Sequence, residues 1–412
     1  MPTDTLKLAD WEHRLHALAP PSDIRLGLER VKAVWQRLDQ QRPRTVITVA
    51  GTNGKGSTVE ALGFLLGHTE SSVGQYTSPH LHHITERIRV SGLPVESEVL
   101  ASALDQVESV RGSLYLTYFE YLTLAAFCIF QDQDLDYWVC EIGLGGRLDA
   151  VNILDADLAI ITSIGMDHQE YLGDTLDAIA REKAGVMRPN QCVWTAANNV
   201  HETLHACADT VGAHLNWLDA SEDHSALLAE SRDLLKHARL PIDSLGLAVK
   251  ALESLDKLPA VMPWEALAAL EMPGRLTRRV VSGVQWICDV GHNPEAARYV
   301  VDQLQAMTVP GRRVLIMGLL QDKSAVEVIE VLAAAHLFDQ VVTVDLLGPR
   351  GRSGDDLQLI WKTRLPKTPI ESFATLRDAI AALEQTLTAG DQVLVFGSFL
   401  LVADALTHDK FN

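Results

Sequence analysis

Val46-Ile47-Thr48-Val49-Ala50-Gly51-Thr52-Asn53-Gly54-Lys55-Gly56-Ser57-Thr58 is the stretch that decides the fold of the first half of the chain. Its β-branched start predicts a short buried strand, Val46 to Val49, and the apolar helical pattern that starts at Val59 predicts a helix after the turn. The glycines let successive backbone N–H groups face one centre, the helix N-terminus adds partial positive charge, and Lys55 adds a full one. The stretch therefore predicts a phosphate-binding unit.

This turn departs from the strict P-loop pattern G-x-x-x-x-G-K-[ST]. The first glycine of that pattern would fall at Val49, and Gly56 separates Lys55 from Ser57. What remains is the shorter G-x-x-G-K-G-S, in which Ser57 can still offer a hydroxyl to Mg²⁺. Since glycines that flank a lysine between a strand and a helix are uncommon in ligand-free turns, the nucleotide interpretation is favoured.

The composition predicts a soluble globular protein with two or three domains. At 412 residues and 47% hydrophobic content, the chain can bury a sizeable core in each domain. Its 35 Lys and Arg residues face 54 Asp and Glu residues, and the formal net charge of -19 argues against a nucleic-acid or anionic-membrane partner. An anionic substrate would therefore need a local electropositive pocket.

The cysteines and the hydropathy pattern predict a cytoplasmic location. No C-x-x-C pair is present, which is typical of reduced and mostly buried thiols. The N-terminus lacks the apolar segment of an export signal, and the longest apolar-rich run, Tyr121 to Phe130, is too short to span a bilayer. We therefore expect no membrane partner.

Polar residues follow several predicted strands of the first half, which points to an α/β fold. Ser78 comes after a strand that begins at Val73, Glu141 ends the next strand, and His168 follows another. Because open α/β sheets bind ligands at the carboxyl ends of their strands, we expect these residues to converge with Lys55 on one crevice. The elements predicted in this half are helices Leu6 to Leu18, Gly27 to Leu38, Glu96 to Val110 and one that ends by Phe130, and strands Leu135 to Glu141 and Leu158 to Ile164.

The second half alternates strands and helices, which indicates a parallel sheet covered by helices. The Pro273-Gly274 pair and a new strand near Val280 indicate a domain boundary, so the predicted domains are 1–274 and 275–412. The predicted elements are strands Val284 to Val290, Arg313 to Met317, Gln340 to Val344 and Val393 to Phe396, and helices Pro294 to Met307, Ala325 to His336, Gly354 to Thr363 and Ala374 to Leu387.

Two further stretches have plain structural interpretations when taken alone. The run from Gly143 to Arg147 is half of a dinucleotide fingerprint, but the third glycine of that fingerprint would fall at Leu148. The stretch Arg181 to Val186 is typical of a solvated charged turn that complements the helix dipole.

Taken together and in order, the motifs resemble those of the folylpolyglutamate synthases of the Mur-ligase superfamily, over nearly the whole chain. Leu26 to Val31 and Leu116 to Tyr121 are similar to the bacterial bifunctional members, which also act as dihydrofolate synthases. The motifs that carry the resemblance are Gly51 to Ser57, Tyr76 to His80, Thr85 to Arg87, Glu141 to Ala150, Asp167-His168, Arg181 to Gly185, Pro273 to Arg275, Asp289 to Pro294 and Gly397-Ser398.

The resemblance implies a Mur-ligase architecture with a P-loop NTPase-like N-terminal domain and a smaller Rossmann-like C-terminal domain. It also implies a monomeric ATP-dependent acid–amino-acid ligase that joins L-glutamate to dihydropteroate and then further glutamates to the γ-carboxyl of reduced folates. The alternatives are folylpolyglutamate synthesis alone and another Mur-type amino-acid ligase. Against the latter, only some 45 residues precede the predicted P-loop strand, so we expect no N-terminal sugar-nucleotide-binding domain. A non-enzymatic alternative is an ATP-dependent switch.

Residue by residue, the resemblance also implies a site with ATP and two Mg²⁺ ions. Lys55, Lys183 and His292 would be catalytic, and Lys183 would be carried as a carbamate, which reverses the solvated-turn interpretation. An imidazole is an unusual ligand for a hard ion, so His168 as a metal ligand rests on the resemblance alone. The implied ATP-binding residues are Thr52, Asn53, Gly54, Lys55, Gly56, Ser57, Ser244, Arg275 and Asp289, and the implied metal ligands are Ser78, Glu141 and His168.

The implied substrate-binding residues fall into three folate segments and one glutamate-pocket position. Phe119 could stack on a flat pterin, and a core role is an equally good interpretation of an aromatic residue there. The set is Asp23, Ile24, Arg25, Leu26, Thr117, Tyr118, Phe119, Glu120, Leu148, Asp149, Ala150 and, for glutamate, Ser398.

The sequence departs from the family pattern at three places. Ser57 stands where Thr is frequent, which keeps the hydroxyl, and Ser324 replaces a second acidic residue. Ser244 stands where the family has an adenine-contacting Asn.

Overall fold

Strands alternate with helices in both halves of the chain, as the sequence predicts. The computed structural model describes residues 7–38, 41, 43–218, 234–235, 238–348, 350–408 and 410. The chain divides into two units. The first comprises Met1–Gly165 and Gln169–Leu270, and the second comprises Met166–His168 and Glu271–Asn412.

The first unit is built on an eight-stranded mixed sheet of order β4-β3-β2-β5-β1-β6-β7-β8. The pairs β2–β5, β5–β1, β1–β6, β6–β7 and β7–β8 are parallel, while β3 is antiparallel to β2 and β4. The strands are β1 (Thr45–Ala50), β2 (Val73–Tyr76), β3 (Ile88–Val90), β4 (Leu93–Pro94), β5 (Tyr137–Glu141), β6 (Leu158–Ile161), β7 (Cys192–Thr195) and β8 (His214–Trp217).

Helices cover this sheet and connect its strands. The α-helices are α1 (Leu8–Leu18), α2 (Glu29–Trp35), α3 (Lys55–Gly67), α4 (Ser97–Arg111), α5 (Tyr118–Asp132), α6 (Gln169–Leu172), α7 (Leu176–Ala184), α8 (His201–Val211), α9 (Ile242–Ser254) and α10 (Trp264–Ala269), and short 3₁₀ helices span Ile84–Arg87, Ala150–Ile153 and Asn198–Val200. The central strand β1 is buried over most of its length because β5 and β6 flank it. The turn after β1 is thereby held at the carboxyl edge of the sheet.

The second unit contains a six-stranded sheet of order β13-β12-β11-β14-β10-β9, in which β9 is antiparallel to β10 and the remaining pairs are parallel. Its core includes the fully buried rings of Trp361 and Phe396. The elements are β9 (Thr277–Val281), β10 (Val284–Asp289), α11 (Pro294–Gln305), β11 (Arg313–Met317), α12 (Ala325–Ala334), β12 (Gln340–Val344), α13 (Gly354–Arg364), β13 (Ile370–Phe373), α14 (Leu376–Glu384), β14 (Gln392–Phe396) and α15 (Phe399–Thr407).

Several element boundaries differ from the sequence-based prediction. The helix after the phosphate turn begins at Lys55 and not at Val59, because Gly54 in the left-handed conformation (φ 86°) caps it four residues earlier. Leu6, the predicted start of the first helix, lies outside the described residues. The edge strand β13 was not predicted, and β9 begins at Thr277, before the strand start predicted near Val280.

The cysteines are unpaired thiols, and three of the five are buried. Within the described part of the chain, no helix is both long and apolar enough to cross a bilayer.

Candidate active site

The turn after β1 is held against the end of β6. Gly51 adopts φ 145°, and a Cβ atom placed on it would lie 1.9 Å from Oγ1 of Thr162. That hydroxyl donates to the carbonyl of Asn53 at 2.6 Å, and Oγ of Ser163 accepts from the Asn53 amide at 3.0 Å. The backbone of the turn is therefore fixed by side chains that lie more than 100 residues further along the chain.

The side chain of Thr52 is committed to the same contact. Its Oγ1 donates to the carbonyl of Gly165 at 3.2 Å and accepts from the Gly165 amide at 2.9 Å, and its own amide donates to the carbonyl of Ser163 at 2.7 Å. The first N–H groups of a helix have no partner within the helix. Amides at the start of α3, rather than those of Thr52 and Asn53, are therefore the ones that can face an anion.

Lys55 folds back over this turn. Its Nζ donates to the carbonyls of Gly51 and Thr52 at 3.1 and 3.2 Å, and it lies 3.9 Å from Oε1 of Glu141. Glu141 ends the neighbouring strand β5 and is only 3% exposed, and its Oε2 accepts from the Ser78 amide at 3.1 Å. The structure thus brings together three of the predicted residues, Lys55, Ser78 and Glu141, at adjacent strand ends.

Hydroxyl groups line the start of α3. Ser57 and Thr58 are buried, and Oγ1 of Thr58 donates to the carbonyl of Gly54 at 3.0 Å. Ser244 on α9 lies against the same carbonyl, to which its Oγ donates at 3.3 Å. Ser244 therefore belongs to the wall of the turn.

Lys183 is buried, so the solvated-turn interpretation is wrong for this residue. It lies near the end of α7, is 4% exposed, and donates from Nζ to the carbonyl of Gly51 at 2.8 Å. Its burial depends on Gly146, because a Cβ atom there would lie 2.9 Å from the carbonyls of Glu182 and Lys183. The glycine run that was only half a dinucleotide fingerprint thus packs against the end of α7.

Asp149 organises the loop that follows β5. Its Oδ2 accepts from the Leu144 amide at 2.9 Å and its Oδ1 from the Val151 amide at 3.0 Å. Burial raises the pKa of Asp149 to about 7, although these N–H groups and the charge of Lys55 partly oppose the shift. Both carboxylate oxygens are therefore committed to the backbone of this loop.

The three predicted folate segments are tied together by hydrogen bonds within the first unit. Arg30 donates to Glu120 at 2.9 Å and to the carbonyl of Arg25 at 2.7 Å, which joins the first segment to the second. The Gly27 amide donates to the carbonyl of Leu148 at 3.2 Å, which joins the first segment to the third. Arg30 was not predicted, since its salt bridge crosses 90 residues of sequence.

Aromatic rings stand beside these segments. Phe119 is half-buried, its ring centroid lies 5.8 Å from that of Tyr76, and its ring edge lies where a Cβ on Gly143 would be. In the first folate segment, the Tyr115 hydroxyl donates a hydrogen bond to Asp23, and the Arg25 guanidinium lies 4.2 Å from the centroid of the Tyr115 ring. Hydrogen bonds from Arg25 and Tyr115 lower the pKa of Asp23.

A second group of predicted residues surrounds the end of β10 in the second unit. Asp289 is buried, and its carboxylate accepts from the amides of Leu276 and Gly291 at 3.0 and 2.7 Å. Burial raises its pKa, and the positive charge of Arg275 opposes the shift. Arg275 lies 5.4 Å from the centroid of the Phe399 ring.

His292 and Ser398 belong to the same unit. The His292 ring centroid lies 6.4 Å from that of Phe399, the residue after Ser398. Ser398 is 2% exposed and caps α15, where its Oγ accepts from the Leu401 amide at 3.1 Å.

Asp167 connects the cations of the second unit. Lys323 donates to its Oδ1 at 2.7 Å, Asn293 donates to its Oδ2 at 3.3 Å, and Nε2 of His292 lies 3.4 Å from Oδ2. Burial opposes ionisation of Asp167, but the hydrogen bond and charge of His292, with His168 and Lys323, lower its pKa well below the usual range. Lys323 follows strand β11, so the strand-end argument that found Lys55 could have identified it.

His168 belongs to the second unit, in the segment Met166–His168. It adopts φ 51°, its amide donates to Oδ1 of Asp167 at 2.9 Å, and its side chain is 33% exposed. In the described residues, no group of three or more His, Cys, Asp or Glu side chains is arranged to hold a metal ion. Of the predicted metal ligands, Ser78 and Glu141 are thus the pair that the first unit brings together.

Known families match both halves of the chain. Residues 49–205 match the Mur ligase middle domain, and residues 274–399 match the Mur ligase, glutamate ligase domain. The chain is 36% identical over 409 residues to the dihydrofolate synthase/folylpolyglutamate synthase of Escherichia coli K12, covering 97% of this chain and 94% of that protein.

Solved structures agree with these matches. A structure of E. coli FolC in complex with DHPP and ADP is 33% identical and superposes with a TM-score of 0.87 over 98% of both chains. A bifunctional folylpolyglutamate synthase/dihydrofolate synthase with Mn, AMPPNP and L-glutamate bound is 33% identical, with a TM-score of 0.84 and 98% coverage of both chains. Since sequence and fold agree over nearly the whole length, the chain belongs to the dihydrofolate synthase/folylpolyglutamate synthase family of Mur ligases, which are ATP-dependent ligases.

Proposed function

We propose that this protein joins L-glutamate to dihydropteroate, and further glutamates to the γ-carboxyl of reduced folates, in an ATP-dependent reaction through an acyl phosphate. The observation that carries the proposal is the meeting of Lys55, Ser78 and Glu141 at adjacent strand ends, beside the N-terminus of α3. Membership of the ligase family supports it.

The chemistry requires activation of the acceptor carboxylate. A carboxylate is a poor electrophile because its oxygen is a poor leaving group, so the carboxylate oxygen first attacks the γ-phosphate of ATP and ADP leaves. The glutamate amine then attacks the acyl carbon, and inorganic phosphate departs. Phosphoryl transfer needs mainly positioning and neutralisation of charge, which the helix N-terminus and Lys55 can supply.

We propose ATP-binding roles for the residues that the sequence predicts. In the first unit, the amides at the start of α3 would face the phosphates, and Ser244 lies against the turn before this helix. In the second, Arg275 and Asp289 would contribute, and the proximity of the Arg275 charge to the buried Asp289 carboxylate supports this pairing. The predicted division of roles between residues 1–274 and 275–412 is part of this proposal.

The residues near Lys55 fit Mg²⁺. Glu141 and Ser78 offer a carboxylate and a hydroxyl, the hard oxygen donors that this ion prefers, and ATP phosphates and water would complete the coordination. We assign Ser78, Glu141 and His168 as ligands of two ions. When bound, the ions neutralise phosphate charge.

Lys183 would act as a carbamate. Its burial and its hydrogen bond to Gly51 place its amine at the phosphate turn. Addition of CO₂ to the amine would replace a cation by an anion, which favours the binding of metal ions nearby.

The folate would bind along the segments Asp23 to Leu26, Thr117 to Glu120 and Leu148 to Ala150, with its pterin against Phe119. The hydrogen bonds that join these segments support a single binding surface. The glutamate would contact His292 and Ser398 in the second unit. Since each role is assigned within one chain, we also propose that the enzyme acts as a monomer.

The release of ADP tests the ligase function against a nucleotide switch. We expect release to be stimulated only when a pterin substrate and L-glutamate are both present, since the acyl phosphate otherwise accumulates without turnover. An acceptor carboxylate labelled with ¹⁸O should transfer one labelled oxygen to inorganic phosphate. Release of ADP that neither substrate stimulates would contradict the proposal.

A further inference from the structure

Arg87 is a buried cation next to the Ser78 loop. It ends the 3₁₀ helix Ile84–Arg87, directly before β3, and is 8% exposed. Its carbonyl accepts from the Thr77 amide at 2.8 Å, and its Nε donates to Nδ1 of His80 at 2.9 Å. Both ends of the residue are therefore fixed to the loop that contains Ser78.

The charge of Arg87 has no carboxylate partner in the described part of the chain. Arg89, two residues later, pairs with Glu60, and Arg30 pairs with Glu120. The preceding residue, Glu86, cannot serve, because its carboxylate accepts from three backbone amides of its own loop. The imidazole of His80 that accepts from Nε brings no negative charge.

The outer end of the guanidinium is open. Nη1 and Nη2 of Arg87 donate to no described residue, and neither is among the buried polar atoms that lack a partner. Both nitrogens therefore remain accessible, although most of the side chain is buried. Burial of an unpaired cation is costly. A guanidinium that is fixed in place and has two accessible terminal nitrogens is therefore suited to bind an anion.

The guanidinium of Arg87 lies between two proposed binding elements. The guanidinium is 5.4 Å from the centroid of the Tyr118 ring, and Tyr118 precedes Phe119, the proposed pterin-stacking residue. Tyr76, whose ring is 5.8 Å from that of Phe119, ends the strand that leads into the Ser78 loop. An anion at Arg87 would thus lie close to both the aromatic rings and the loop at the phosphate site.

We propose that Arg87 binds a carboxylate of the pteroate or folate substrate through its terminal nitrogens, an assignment that rests on the proposed function. The planar fork of arginine matches a carboxylate with two parallel hydrogen bonds, which lysine cannot form. Two carboxylates have this chemistry. Dihydropteroate carries only the reacting group, whereas tetrahydrofolate carries the α and γ carboxylates of its glutamate.

The test compares Arg87→Gln and Arg87→Lys with Arg89→Gln, a matched control whose side chain is paired with Glu60. KM for dihydropteroate and for tetrahydrofolate is measured at saturating ATP and glutamate, and Kd for dihydropteroate is measured by calorimetry in the presence of ADP. We expect Arg87→Gln to raise KM for the folate substrate about 10- to 100-fold, because the variant loses hydrogen bonds to a charged group. KM for ATP should not change. Arg87→Lys should fall between Arg87→Gln and the wild type.

The pattern across substrates identifies the carboxylate. If Arg87→Gln raises KM equally for dihydropteroate and tetrahydrofolate, Arg87 binds the reacting carboxylate. If KM rises for tetrahydrofolate alone, Arg87 binds the α-carboxylate. In the latter case, the α-amide of tetrahydrofolate should bind wild type and Arg87→Gln equally.

Thermal melting of each variant separates binding from folding. If Arg87→Gln does not fold, the comparison of Arg87→Lys with wild type decides, because lysine keeps the charge and loses only the fork. Unchanged KM and Kd in a folded Arg87 variant, for both substrates, would overturn the inference. Failure of the wild-type protein to form any glutamate conjugate would instead contradict the proposed function.

Discussion

Single residues of the site combine burial with charge, and each buried charge has a defined structural role. Lys55 is held by the carbonyls of the turn that it covers, and Lys183 donates to one of the same carbonyls. In the second unit, Asp167 is placed between Lys323 and His292. Substitution of these residues should therefore change both chemistry and local stability, and the two effects must be separated.

Lys55→Ala should abolish turnover, because it removes the positive charge that stabilises the developing charge of phosphoryl transfer. We expect a loss of at least about 10²-fold in kcat, measured as ADP formed with dihydropteroate and glutamate. The exposed Lys362→Ala on α13 is the control, and a melting curve shows whether the turn survives. Wild-type activity in a folded Lys55→Ala protein would remove this lysine from the mechanism.

Lys183→Ala should cripple ligation if the carbamate is required. Short carboxylic acids added to this variant should partly restore activity, because they can occupy the position of the missing anion. Rescue by simple amines instead would show that the positive charge of an unmodified lysine was needed. Mass spectrometry of the intact protein is not decisive because carbamates are labile, so chemical rescue is the preferred measurement.

Asp167→Asn should destabilise the second unit, because it leaves Lys323 without its anionic partner. Removing one member of a buried ion pair costs about 3–5 kcal/mol. Since the pKa of Asp167 is lowered in the folded protein, its contribution is present above the unfolded value of about 4 and is lost as the pH falls through the folded value.

Urea unfolding of wild type and Asp167→Asn, at pH 7 and at the lowest pH where the full chain folds, measures how much stability the substitution removes at each pH. The exposed Asp355→Asn on α13 serves as the control. If the difference in free energy of unfolding between wild type and Asp167→Asn grew as the pH fell, the predicted direction of the pH dependence would be wrong.

At the scale of elements, the turn between β1 and α3 depends on its close contact with β6. Gly51→Ala should distort it, since the new Cβ would lie 1.9 Å from Oγ1 of Thr162 in a backbone conformation that disfavours side chains. Gly67→Ala, at the end of the same helix, meets no atom within 4 Å and is the matched control.

We expect Gly51→Ala to lower the melting temperature and to weaken ATP binding, measured by calorimetry, while Gly67→Ala changes neither. Equal ATP affinity in the two variants would show that the turn does not bind the phosphates.

The strength of local sequence patterns determines which elements could be predicted. The β-branched run of β1 and the three-glycine turn are local features, so both were found. The start of α3 was placed too late, because Gly56, Ser57 and Thr58 have low helix propensity and are held in the first turn by packing. Strand β13 is short and half-exposed, and only its pairing with β12 defines it.

Candidate site residues were predictable when they lay at or shortly after the end of a strand. Glu141 and Asp289 are the last residues of β5 and β10, and Lys55 follows the short turn after β1. The burial of Lys183 depends on Gly51 and Gly146 from other parts of the chain, so its sequence neighbours suggest a solvated turn. The contact of Asp167 with Lys323 joins residues 156 positions apart, and no local pattern reports it.

At the scale of the whole molecule, an acidic chain must bind several anions. The chain has a net charge of -19, whereas Lys55, Arg275 and Lys323 are buried or half-buried cations. Lys55 is such a cation in the first unit, and Arg275 and Lys323 are such cations in the second. Local charge therefore permits binding of ATP, folate and glutamate despite the overall repulsion.

The most direct test of the central claim is mass spectrometry of the products formed from dihydropteroate and from tetrahydrofolate, each with ATP, Mg²⁺ and L-glutamate. The proposed function predicts one glutamyl residue added to dihydropteroate and one or more added to tetrahydrofolate, with one ADP formed for each. Addition to tetrahydrofolate alone would restrict the enzyme to polyglutamylation. ATP hydrolysis without any glutamate conjugate would contradict ligation altogether.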